Sequence, residues 1–206
     1  MTGGRAPTTA DRTSSGRAPL VLASASQRRL DLLRQVGIEP DIVEPAELDE
    51  RPLRNELPRD HAKRLAEEKA RAIQARRPEA FVLGADTVVG LGRRILPKPA
   101  DEAEAHACLE RLSGRRHRVY GGVTLLAPGG REAHRLVTTA VRFKRLSPLD
   151  IDAYLASEEW RGKAGAYAIQ GRAGAFVPAI NGSYSNVVGL PLAETLGLLQ
   201  GLGYRP

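Results

Sequence analysis

The sequence predicts an α/β fold with a mixed sheet, and three observations lead there. Apolar runs of strand length alternate with amphipathic stretches of helical period along the chain. Two turn signals, Pro128-Gly129-Gly130 and Asn181-Gly182, lie between runs that read as antiparallel hairpins, so the sheet is not purely parallel. A length of 206 residues, 42% hydrophobic and 27% charged, suffices for one large domain or two small lobes with a proper core.

The elements follow in order. Residues 19 to 23 read as the first strand and 26 to 36 as a helix with Leu30, Leu32, Leu33 and Val36 on its apolar face. A short strand at 41 to 44 leads into a polar loop over 45 to 58, then a helix from about 60 to 76. FVLGADTVVG forms a strand from 81, with a return at 93 to 96. A helix over 101 to 112 takes Asp101 as its N-cap, and two long strands near 116 to 127 and 132 to 145 flank the Pro-Gly-Gly turn. Ser147 opens a helix over 149 to 156, and a glycine-rich segment spans 162 to 174. Strands at 175 to 180 and 184 to 188 are expected around Asn181-Gly182 as a hairpin. The last helix, 191 to 200, takes Pro191 in its first turn. Residues 1 to 18 are rich in Gly, Ser, Thr and Arg without a hydrophobic segment. They are expected to form a disordered tail, with an organelle transit peptide as the alternative, ahead of a single domain over 19 to 206.

Composition narrows the function. A net charge of +7 implies attraction to polyanions. Aromatics are only 4% of the chain and the arginines are scattered, so no base-stacking platform emerges and a small polyanion fits as well as a nucleic acid. The single cysteine, Cys108, excludes an internal disulfide and a zinc site, and its helical setting makes it a small buried apolar residue. No apolar run approaches the ~18 residues of a membrane span. A reducing, cytoplasmic location is the default expectation.

Several residues are chemically out of place. A strand running straight into a helix leaves the first helical N–H groups unpaired, and with the positive end of the dipole these favour an anion. At this junction Ser24, Ser26, Arg28 and Arg29 add donors, which points to a phosphate; otherwise Ser24 or Ser26 is merely the N-cap and both arginines are solvated. Lys69 falls on the apolar stripe of its helix, so its ammonium either snorkels to the edge or turns into a cleft. Asp86 interrupts a strand that is apolar on both faces. A buried carboxylate needs a cation, a metal or several donors, whether for catalysis or in a structural salt bridge. Thr87 follows it and is unremarkable alone. Lys98, held between Pro97 and Pro99, either aims at a phosphate or is a solvated loop lysine. Asp49 and Glu50 gain interest only beside Asp86, because converging carboxylates hold Mg²⁺ next to a triphosphate. The segment GKAGAYAIQGRAGAF allows close backbone approach to a ligand, and Gln170 pairs a donor with an acceptor that match the imide edge of uracil or thymine. The four histidines show no ligand spacing.

Together the stretches LASASQRR, LAEEKA, GADTVV, PKP, LSG, KAGAYAIQG and NGSYSNVVGLP resemble, in order, the Maf family of nucleoside triphosphate pyrophosphatases over about residues 19 to 204. The resemblance implies two lobes around a central cleft, similar to the inosine triphosphate pyrophosphatase fold, often found as homodimers. It also implies cleavage between the α and β phosphates with a divalent metal, Mg²⁺ or Mn²⁺. The family's catalytic aspartate falls on Asp86, its phosphate-gripping motif on Ser24, Ser26, Arg28 and Arg29, and its acidic loop residue and two lysines on Glu50, Lys69 and Lys98. Glu50 and Asp86 would share the metal, and Lys69 and Lys98 would act on the phosphates. Arg28-Arg29, Asp86-Thr87 and Ile169-Gln170-Gly171 resemble the branch acting on dTTP and UTP; the branch acting on 7-methyl-GTP has Trp-Arg, Asp-Gln and Ser-Glu-Gly there. The chain departs from the usual pattern at Gln27, Asp49 and Ala168. Two other classes remain as alternatives. One is a nucleic-acid-binding or cell-division-regulating protein without turnover; the other is a nucleotide kinase, against which the missing G-x-x-x-x-G-K-[ST] loop argues.

Overall fold

Seven strands form one mixed sheet in the computed structural model, which describes residues 17–206. They are β1 (Leu20–Leu22), β2 (Ile42–Val43), β3 (Phe81–Leu91), β4 (Arg94–Leu96), β5 (Arg116–Leu126), β6 (Glu132–Arg142) and β7 (Ala179–Asn181). Their order is β2-β1-β3-β5-β6-β7, with β4 paired to β3 beside the end of β1. β1 runs parallel to both β2 and β3, and every other pairing is antiparallel. The helices are α1 (Gln27–Gln35), α2 (Pro58–Gln74), α3 (Glu102–Leu112), α4 (Pro148–Leu155), α5 (Tyr184–Val188) and α6 (Leu192–Gly201). The chain leaves β1 through α1 to β2 on one side, then crosses through α2 to β3 on the other. The carboxyl end of β1 is thus a switch point, where open α/β sheets form a crevice.

Of three apolar clusters along the strands, two form the larger cores. Leu20, Leu22, Leu33, Leu83 and Leu125 pack with Leu198 and Leu199 of α6 in one lobe. Leu109, Leu112, Phe143, Tyr154 and Trp160 fill the other, around α3 and α4, and Cys108 lies in that core as a free thiol. The helix α2 sits unusually close to the sheet. A Cβ at Gly84 would strike the Ala66 carbonyl and come within 2.8 Å of Ala70 Cβ, and one at Gly122 would strike the Ala62 carbonyl. The two glycines therefore let the helix backbone lie down on β3 and β5.

Most expected elements are present within a few residues. Asp101 caps α3 through Glu104 N–H at 2.8 Å, and Ser147 with Asp150 forms a capping box on α4. The Pro128–Gly130 turn has φ of +80° and +86° at Gly129 and Gly130. The expected strands at 175 to 180 and 184 to 188 are corrected. A 3-10 turn covers Arg172–Phe176, β7 pairs with β6, and 184 to 188 is the helix α5. Asn181-Gly182 therefore makes no hairpin. Ser183 Oγ accepts the Asn186 N–H at 3.2 Å and starts a helix, while buried Asn186 donates to Val119 O and Thr139 Oγ1 at 3.2 and 3.1 Å. These contacts override the strand propensity of Tyr184, Val187 and Val188. Pro191 stands at the cap just ahead of α6 rather than inside its first turn.

The tail expected over 1 to 18 lies outside the described residues as far as 16. Arg17 belongs to the fold: its guanidinium pairs with Asp41 at 2.9 Å and donates to Tyr204 at 3.1 Å. No helix among the described residues is long and apolar enough to cross a membrane.

Candidate active site

A gap in the sheet places the site. On one edge of β3, β1 covers Phe81 to Leu83 and β4 covers Val89 to Leu91, and among the described residues no strand lies against 84 to 88 on that side. Side chains alternate along a strand, so Asp86 points toward α2 and Thr87 toward α1 and α5. Because the edge is open, both nonetheless line one cleft of about 590 Å³, a volume within the ordinary range of ligand pockets.

The α2 side carries an acid–lysine chain. Lys69 is 6% exposed, and its ammonium lies 2.7 Å from Asp86 Oδ1 and 2.6 Å from Glu50 Oε1. Lys98 Nζ approaches the other Glu50 oxygen at 3.0 Å. Lys69 therefore does not snorkel outward; it turns into the cleft. Asp86, 7% exposed, has its cation and still borders the opening. Partial burial pushes the Glu50 carboxyl up, but Lys69 and Lys98 outweigh this and hold it at about 2. Glu50 reaches the lysines from a loop without regular structure. That loop is fastened by Glu56, whose carboxylate accepts from Arg64 Nε at 2.7 Å, from Leu53 N–H at 2.9 Å, and bonds His61 Nδ1 at 2.9 Å. Its neighbour Asp49 is not part of the site: it is bound by Arg51 at 2.6 Å on the surface.

The α1 side carries the arginines. Arg29 is 8% exposed and donates to Gly189 O at 2.9 Å, Ser24 Oγ at 2.8 Å and Thr87 Oγ1 at 3.3 Å. Arg28 Nε donates to Val188 O at 3.2 Å. Both acceptor carbonyls come from the end of α5, so the NGSYSNVVG segment positions the two arginines. Burial lowers the Arg29 guanidinium, and Asp86 and Glu50 act against that shift. Ser26 stands at the N-cap of α1 yet makes no capping bond, and Ser26, Gln27 and Arg28 border the cleft. The N-terminus of α1 is thus left open to an anion rather than closed by its own side chain.

The glycine-rich segment supplies the far rim. Gly165, at φ +68°, sits on Val89, and its N–H donates to Pro97 O at 3.1 Å, tying this loop to the one bearing Lys98. Tyr167, Ala168 and exposed Gln170 line the cleft. Asp49 apart, the structure brings together the candidate residues read from sequence: Ser24, Ser26, Arg28, Arg29, Glu50, Lys69, Asp86, Thr87, Lys98 and Gln170. Sequence reasoning missed Lys163, which also borders the cleft. Its signals were a lysine opening the glycine run and its place at the head of KAGAYAIQG, to which no role was given. Two carboxylates, Glu50 and Asp86, border the cleft, and among the described residues no group of three or more His, Cys, Asp or Glu is placed to hold a metal ion.

Residues 19–202 match the model of the family described as Maf-like protein. The chain is 64% identical over 187 residues to a dTTP/UTP pyrophosphatase of Caulobacter vibrioides, spanning 91% of this chain and 97% of that one. It is also 64% identical over 189 residues to a dTTP/UTP pyrophosphatase of Paramagnetospirillum magneticum, spanning 92% and 100%. A solved dITP/XTP pyrophosphatase of Mycobacterium abscessus aligns at 18% identity and a TM-score of 0.39, over 62% of this chain and 73% of that one; at that score the likeness adds no argument.

Proposed function

Since the chain belongs to the Maf family, we propose that it hydrolyses dTTP and UTP to the monophosphate and pyrophosphate in the cytoplasm. The observation that carries this reading is Asp86: an acid set in an apolar strand, paired with Lys69 at 2.7 Å, and bordering a cleft shared with Arg28, Arg29 and Lys98. A core salt bridge alone would need no cleft.

In this mechanism a water attacks the α-phosphorus, the bond to the bridging oxygen breaks, and pyrophosphate leaves. Asp86, as the carboxylate, orients that water or takes its proton. Lys69 holds Asp86 and Glu50 at fixed positions, and Arg28 and Lys98 meet the charge of the triphosphate, the largest source of barrier reduction in such chemistry. Two carboxylates plus substrate phosphate oxygens are a donor set that suits Mg²⁺ or Mn²⁺, so Glu50 and Asp86 fit a divalent metal. When bound, it would neutralise phosphate charge. Gln170 reads the imide edge of uracil or thymine, and Thr87 and Arg28 border the same cleft. The family resemblance also carries a homodimer, which sedimentation tests.

A screen of canonical and modified nucleoside triphosphates with separate detection of pyrophosphate and orthophosphate tests the function. The expected result is pyrophosphate from dTTP and UTP. Orthophosphate release, or no turnover of either, overturns it.

A further inference from the structure

The charges of the cleft balance at one end and not at the other. Glu50 and Asp86 answer Lys69 and Lys98 by direct ion pairs, so that end is near neutral before substrate enters. Arg28, Arg29 and Lys163 line the rest and bond only to carbonyls and hydroxyls. Arg29 is enclosed by its three acceptors. Arg28 and Lys163 each have a single backbone carbonyl; for Lys163 Nζ it is Arg161 O at 2.9 Å. Both are partly exposed to the cleft, and both have their pKa lowered. For Lys163 the causes are burial and then the charge of Arg28, with Glu159 acting the other way; for Arg28 they are burial and then Arg29. The Lys163 backbone is fixed by the Ala166 N–H bond to its carbonyl at 3.0 Å and by the Gly165 N–H bond to Pro97 O at 3.1 Å. Two incompletely satisfied cations, mutually repelling and positioned from separate elements, fit an anion that bridges them.

We propose that Lys163 and Arg28 form a second phosphate-binding pair that grips the polyphosphate chain of the substrate, apart from the acid-paired Lys69 and Lys98. This rests on the functional reading above and extends it to a residue of KAGAYAIQG to which the resemblance assigned no role. An ammonium donating to a phosphate makes a charge-assisted bond, so removing it should weaken binding about tenfold or more.

The test is calorimetric titration of the full-length protein with inorganic tripolyphosphate, without added divalent ion, alongside steady-state kinetics on UTP. Lys163→Gln is expected to raise Kd about tenfold and to raise KM more than it lowers kcat, with the melting midpoint unchanged. Lys163→Arg should restore Kd to within about threefold, and Lys63→Gln, on the exposed face of α2, should stay within about twofold. Tripolyphosphate binding by Lys163→Gln as tight as wild type overturns the proposal. So does no binding by wild type, or a loss that comes with a lowered melting midpoint and is not restored by arginine. If wild type releases no pyrophosphate from dTTP or UTP, the functional reading fails while the titration still judges Lys163. If it does and the titration is unchanged, this inference alone fails.

Discussion

One part of the cleft wall, bearing Lys69 and Asp86, is a helix and a strand pressed together through glycine, whereas the part bearing Glu50, Lys98, Lys163 and Gln170 is loops held by a few bonds. In the first part the position of each charge follows from packing: Gly84 admits the α2 backbone, and the ammonium and carboxylate then meet at 2.7 Å. In the second, position depends on single tethers such as Glu56 to Arg64 and Gly165 to Pro97. The packed part fixes geometry and resists change; the loop part depends on single bonds and can shift when one is lost. Sites of many enzymes combine a rigid scaffold with loops in this way.

The largest effect should come from Asp86→Asn, which keeps shape but removes the charge from the packed part. Pyrophosphate release should fall by about a thousandfold or more while circular dichroism shows a folded protein, because Lys69 retains Glu50 as partner. Near-normal turnover would remove Asp86 from catalysis. Next, Gly84→Val forces a branched side chain into the Ala66 carbonyl and should cost about 3 kcal/mol in urea unfolding. A cost near zero would mean that the helix can shift and that the packed part is not rigid.

A smaller effect is expected from Glu56→Gln, which loosens the loop behind Glu50: kcat/KM should drop about tenfold with little loss of fold. The same substitution has a pH signature. Arg64 foremost, with Leu53 N–H and His61, holds the Glu56 carboxyl at about 2 against an ordinary 4.5, outweighing burial. A depressed carboxyl contributes stability that is fully present above the ordinary value and is lost as pH falls through the folded one. The wild type should therefore lose stability between about pH 4.5 and 2 more steeply than the variant, as acid melts will record. The smallest effect should be that of Gln170→Glu, which repels the imide carbonyls and should lower kcat/KM for UTP about fivefold relative to a purine triphosphate. Unchanged selectivity would mean that the base is read elsewhere.

The same division explains how much was legible in the sequence. Asp86 in an apolar strand and Lys69 on an apolar stripe stand out because burying either charge alone is costly; periodicity places both on apolar faces but leaves open whether the Lys69 ammonium snorkels out or turns in. In the loop part no period exists. Asp49 and Glu50 are adjacent acids in a polar stretch, and only tertiary contact decides that one meets Arg51 on the surface while the other reaches Lys69 and Lys98. Lys163, though it heads KAGAYAIQG, was given no role for the same reason. The error at 184 to 188 has a different origin: the residues favour a strand, but the Ser183 cap and the Asn186 contacts with β5 and β6 impose a helix, and that helix presents the two carbonyls that hold Arg28 and Arg29.

An unpaired strand edge normally invites another chain to add itself, and proteins guard such edges with charge, bulges or brevity. Here the bare stretch of β3 is hemmed in by β1 and β4 on the same edge and faced by the opening of α1. Any added strand would be confined to the five residues between these neighbours, which shortens the edge open to another chain. The interruption that shortens the edge is the same one that opens the cleft.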